Sequence, residues 1–155
     1  MDKVVVLGLG NTLLGDEGVG IHAIQFLDRR SWPPQVELID GGTLSFTLAP
    51  ILAAADGLIV IDAAQLQAPP GCVHTFLGDA MDRFVRTHRP SSVHEVGLAD
   101  LLDIAQLSGE LPARRALVAV QPQLMDWSDT LTPEAQQALP EIDHEVCRLI
   151  EAWVS

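Results

Sequence analysis

Only two cysteines, Cys72 and Cys147, occur among the 155 residues. Two are too few for a disulfide framework, and they form no zinc-type cluster. Both lie in apolar sequence, which predicts buried free thiols in a reducing cytoplasm. Basic residues are scarce as well: nine Lys and Arg stand against 21 Asp and Glu, for a formal charge of −12. A surface of that sign disfavours nucleic acid and anionic membranes, and favours cationic partners or metal ions. Uninterrupted apolar runs are missing. The longest, from Leu44 to Ala64, is broken by Pro50, Asp56 and Gly57, which excludes a membrane span there. The first residues carry one lysine, meet polar Asn11 early and offer no small-residue cleavage site, so no signal peptide is expected. An evident nucleophile is lacking too. Thr43, Ser45 and Cys72 have no clear histidine partner, which argues against a serine- or cysteine-type triad.

What is present is enough apolar material for one folded domain over residues 1–155. Hydrophobic residues make up 48% and mean hydropathy is +0.24, which excludes a disordered chain. The rest is organised around Val4-Val5-Val6-Leu7-Gly8-Leu9-Gly10, a β-branched run that feeds a glycine-rich turn and a helix expected from about Glu17 to Arg29. A dinucleotide fingerprint starting at Gly8 fails at Leu13, where its third glycine belongs. A phosphate loop from Gly10 to Gly15 fails because Asp16 and Glu17 follow instead of lysine. Two carboxylates repel phosphate, so the turn suits a cation.

Further strands are expected at Val36–Ile39, Gly57–Ile61, Cys72–Phe76 and Ala116–Val120, the fourth near an edge. Helices are expected at Leu44–Ala55, restarting near Pro50, and between Gly78 and Pro90. Another should run from about Val93 to Leu107 behind a Ser91-Ser92 cap. A last helix opens at Thr132-Pro133-Glu134 and turns Leu139, Ile142, Val146 and Ile150 inward. Acidic residues follow three successive strands: Asp16 and Glu17, then Asp40, then Asp62. In a parallel sheet those strand ends share one edge, so the carboxylates are expected to converge. Each could instead cap a helix. Gly10, and Gly41 or Gly42, are expected at positive φ or in close backbone approach. Of the five histidines, His94 opens a segment that can return to this edge. A glutamate, an aspartate and a histidine with open positions suit zinc or nickel better than calcium or magnesium.

Gly8-Leu9-Gly10-Asn11-Thr12-Leu13-Leu14-Gly15-Asp16-Glu17-Gly18-Val19-Gly20, Asp40-Gly41-Gly42-Thr43, Ile61-Asp62-Ala63 and His94-Glu95-Val96-Gly97-Leu98 together resemble the hydrogenase maturation endopeptidases, from residue 3 to about Pro133. The resemblance implies a three-layer α/β/α sandwich of the phosphorylase/hydrolase-like kind. Its five-stranded mixed sheet would have order 2-1-3-5-4 with the fourth strand antiparallel. It implies an endopeptidase that removes the C-terminal extension of a nickel–iron hydrogenase large-subunit precursor after nickel insertion. The metal ligands it implies are Glu17, Asp62 and His94; many members carry two aspartates where this chain has Asp16-Glu17. Nickel would be presented by the substrate, and zinc or cadmium can take the site in vitro. Asp16 or Asp40 would orient water as a base. Gln121-Pro122 resembles members serving uptake-type hydrogenases. A cytoplasmic monomer is expected, with no nucleic-acid or membrane partner. Two mechanisms stay open, a metal carried by the enzyme or nickel brought by the precursor. Two rival readings also stay open, a non-catalytic nickel-checking chaperone and an aminopeptidase-like metalloenzyme.

Overall fold

The computed structural model describes residues 2–42, 48–88, 97–123 and 125–154. The aliphatic runs form the strands Val4–Leu9 (β1), Val36–Gly42 (β2), Gly57–Ala63 (β3), Val73–Leu77 (β4) and Arg114–Val120 (β5). They make one sheet in the order β2-β1-β3-β5-β4, with β4 antiparallel to β5 and the other pairs parallel. Every residue of β1 is buried, as expected of a strand with helices over both faces. The edge strands β2 and β4 are only half-buried.

The helices are Val19–Leu27 (α1), Ala49–Ala53 (α2), Gly78–Thr87 (α3), Leu98–Leu107 (α4) and Pro133–Val154 (α5). The two-residue period of the strands divides the core. Val4 and Val6 of β1, Ile59 and Ile61 of β3, and Val118 of β5 pack under α1 and α5. Val5, Leu7, Leu58, Val60 and Leu117 pack under α2, α3 and α4. This is the three-layer sandwich and strand order expected from the resemblance. Leu139, Ile142, Val146 and Ile150 of α5 are all buried, as their spacing predicts.

Three expectations change. The first helix begins at Val19, because Gly15–Gly18 form a tighter 3-10 turn that carries Asp16 and Glu17. The fourth helix begins at Leu98 behind an extended Gly97, whose N–H donates to the Asp100 carboxylate at 3.0 Å. That backward reach from the third helical position supplies the cap expected from Ser91-Ser92. Those serines lie outside the described residues, as do Thr43 and Ser45 and the Leu44–Thr47 part of the second predicted helix. Pro50 stands in the first turn of α2, where its missing N–H costs no hydrogen bond. The cysteines are free, yet Cys72 is exposed and Cys147 half-buried. Cys72 precedes an edge strand, which leaves it uncovered.

Candidate active site

The site is built where β1 and β3 end side by side, with Gly8 level with Ile61. Beyond Leu9 the chain bends sharply at Gly10, whose φ is +132°, and a Cβ there would lie 2.0 Å from the carbonyl oxygen of Glu17. Only glycine lets the strand exit lie against the 3-10 turn. Gly20 does the same for α1: a Cβ would meet the carbonyl oxygens of Ile61 and Leu9, each at 2.3 Å. The turn bearing Asp16 and Glu17 is thereby pressed against the end of β3, where Asp62 stands.

Glu17 is half-buried, and its Oε2 accepts the N–H of Asn11 across the turn. Asp62, also half-buried, accepts the N–H of Ala63 on Oδ1 at 2.8 Å. Burial, with the nearby negative charge of Glu17 adding to it, pushes the Asp62 carboxyl up from 3.8 to about 7. Two carboxylates share a partly desolvated mouth, and burial together with like charge favours the protonated form of Asp62.

Asp16 faces the other way and is fully buried. Its Oδ1 accepts the N–H of Thr132 at 2.9 Å, while Oδ2 accepts the Thr132 hydroxyl at 2.7 Å and the Gln123 N–H at 2.9 Å. The carboxylate ties the 3-10 turn to the entry of α5. That is a positioning role, and of Asp16 and Asp40, either of which was expected to orient water, Asp16 has both carboxylate oxygens occupied. Asp40 lies exposed at the end of β2, level with Gly8, and its Oδ1 accepts the N–H of Gly42 at 2.9 Å. Gly42 has φ +52°, so of the glycines expected in unusual conformations Gly10 and Gly42 take positive φ. At Gly41 a Cβ would come 2.7 Å from a Leu7 methyl. Strand alternation sets Asp40 with Leu38 on the α1 side, and Asp62 with Leu58 and Val60 on the other.

The expected convergence of carboxylates is therefore partial. Glu17 and Asp62 interact, Asp16 is a latch, and Asp40 stands at a separate turn. His94 lies outside the described residues. Among the described residues, no three His, Cys, Asp or Glu side chains group so as to hold a metal ion. Among them, too, no helix is long and apolar enough to cross a membrane.

Two supporting residues have roles that the sequence pattern does not announce. Thr132, placed to cap α5, also binds Asp16, and Gln121 anchors a loop. Buried Gln121 accepts the Leu66 N–H at 2.6 Å and donates to Gln65 at 3.0 Å and to the Pro122 carbonyl at 3.1 Å, fixing the loop after β3. The available signal was a polar residue standing directly after an apolar strand.

A family model described as hydrogenase maturation protease matches residues 21–149. The hydrogenase expression/formation protein HupD of Rhodobacter capsulatus is 34% identical over 154 residues, covering 98% of this chain and 73% of that protein. The hydrogenase 2 maturation protease of Escherichia coli is 34% identical over 155 residues, covering 98% and 93%. Among solved structures, the hydrogenase maturating endopeptidase HybD from E. coli superposes with a TM-score of 0.89 at 30% identity, covering 97% of this chain and 93% of that one.

Proposed function

The chain belongs to the hydrogenase maturation protease family, and from that membership we propose that it removes the C-terminal extension of a nickel–iron hydrogenase large-subunit precursor once nickel has been inserted. The observation that carries the nickel part of this reading is the Glu17–Asp62 pair. Two carboxylates held together at the strand ends raise each other's energy, and an incoming cation relieves that repulsion. The pair is a poor resident metal site, because zinc sites held by a protein recruit three or four ligands, usually histidine or cysteine. It suits a metal that arrives already coordinated by another protein, with His94 as the third ligand that the resemblance implies.

On this reading nickel is part of the substrate. Its contact with Glu17 and Asp62 sets the precursor's scissile bond in register at the sheet edge, and Asp62 gives up its proton as the cation approaches. Asp40 is the remaining acidic candidate for orienting water. It is exposed at the same edge, with one oxygen fixed by Gly42. Asp16 holds the turn through Thr132 and Gln123. The exposed or half-buried free cysteines take no part, so alkylating them should leave cleavage intact. We place the protein in the cytoplasm as a monomer.

The test is to incubate the protein with nickel-loaded precursor and weigh the large subunit by mass spectrometry. A single step that releases one C-terminal fragment supports the proposal. An unchanged mass with stable binding would mean a checking chaperone, and stepwise trimming of unrelated peptides an aminopeptidase.

A further inference from the structure

Two loops lie side by side next to the Glu17 turn. The Ser128 N–H donates to the Leu13 carbonyl at 2.9 Å and the Gly15 N–H to the Ser128 carbonyl at 2.8 Å, which sets Leu14 opposite Ser128 in a parallel bridge. One step earlier on each segment stand Leu13 and Trp127, neighbours in the same register. Leu13 is 56% exposed, Trp127 76%, and Met125 on the same loop 47%. These are three of the six large apolar side chains exposed among the described residues. Leaving a tryptophan that open to water forfeits some of the largest burial energy available to a side chain.

The second loop is also held with unusual care. The buried Asp16 carboxylate binds it at both ends, at Gln123 and at Thr132, and the Leu14–Ser128 bridge pins its middle. Met125 and Trp127 project between those fixed points. The same Asp16 belongs to the turn that carries Glu17, so hydrogen bonds tie the loop bearing the apolar patch to the turn of the Glu17–Asp62 pair. Preorganised apolar anchors within a polar rim are what a protein-recognition surface needs. The rim here is acidic, since Asp126 and Asp129 flank Trp127 and both are exposed.

We propose that Leu13, Met125 and Trp127 form the docking surface for a segment of the hydrogenase precursor in which apolar side chains are bordered by Lys or Arg. This inference rests on the reading of the chain as the precursor's protease. The acidic rim sets the occupant. A second copy of this chain would bring like charges together, and the overall charge of −12 repels an anionic bilayer. Position supplies the rest, because the patch begins four residues before Glu17 and is tied to its turn through Asp16.

The experiment compares steady-state cleavage of nickel-loaded precursor by the parent protein, Trp127→Ala, and the Met125→Ala/Trp127→Ala double variant. Leu107→Ala, exposed on α4 away from these loops, is the control. Loss of an aromatic anchor should raise KM about tenfold or more, with kcat within about twofold. The Leu107 variant should match the parent, and all four proteins should melt together. Asp126→Asn/Asp129→Asn should raise KM at low salt, with the difference fading as salt is added. An unchanged KM for the double variant, while the parent cuts, overturns the docking assignment alone. A parent dimer that Trp127→Ala splits in light scattering, or parent binding to phosphatidylglycerol vesicles that Trp127→Ala abolishes, also overturns it. A parent that cuts no loaded precursor overturns the protease reading and the docking assignment together.

Discussion

Asp62 carries a stability cost that follows from where the fold puts it. Its value in the fold is about 7 against an ordinary 3.8. The fold therefore binds that proton more tightly than the unfolded chain does. Below pH 4 this costs nothing; as pH rises from about 4 to 7 the fold loses stability, to a ceiling of about 4 kcal/mol above pH 7. Because Asp62 is only half-buried, water screening should keep the loss below that ceiling. Urea denaturation of metal-free protein should show Asp62→Asn more stable than the parent at pH 8 and equal to it near pH 4. Asp16 behaves in the opposite way. Removing its carboxylate leaves the Thr132 N–H, the Thr132 hydroxyl and the Gln123 N–H without their acceptor, so Asp16→Ala should cost about 3 kcal/mol or more. A loss under 1 kcal/mol in the same denaturation series would contradict the latch. The residue types of both aspartates were legible in the sequence, but not their division of labour. Adjacent acids in a turn look alike until the partners of each are known, and those of Asp16 lie more than a hundred positions away.

At the scale of elements, the site exists because α1 can approach the sheet closely. Gly20 stands 2.3 Å, measured to its imagined Cβ, from the carbonyls of Ile61 and Leu9. Gly20→Ala should push α1 and the Glu17 turn outward, lower the melting temperature, and abolish cleavage beyond what the stability loss explains. Full activity in that variant would show that close seating of α1 is unnecessary. The strands were readable from their continuous aliphatic runs, as was the inward stripe of α5. The 3-10 turn was not, since glycine, aspartate and glutamate before Val19 suit a helix start as well as a turn. The true start of α4 was hidden by two competing caps, a pair of serines and the Asp100 that reaches back to Gly97. The antiparallel direction of β4 came from the family resemblance, because a short half-buried strand carries no mark of its orientation.

Over the whole molecule, Lys3, Arg30, Arg86, Arg114, Arg115 and Arg148 are each engaged in ion pairs with acids of the same chain. Twelve negative charges remain in excess, a field that favours cationic groups and weakens with salt. Whether the metal needed for cleavage arrives in the precursor is tested by stripping the protease with chelator, removing the chelator, and offering nickel-loaded and nickel-free precursor in parallel while the large subunit is weighed. Stripped protease should cut the loaded precursor at the parent rate and leave the nickel-free one whole. Stripped protease that is inert on loaded precursor, and is restored by added zinc, would place the metal in the protease instead of the precursor.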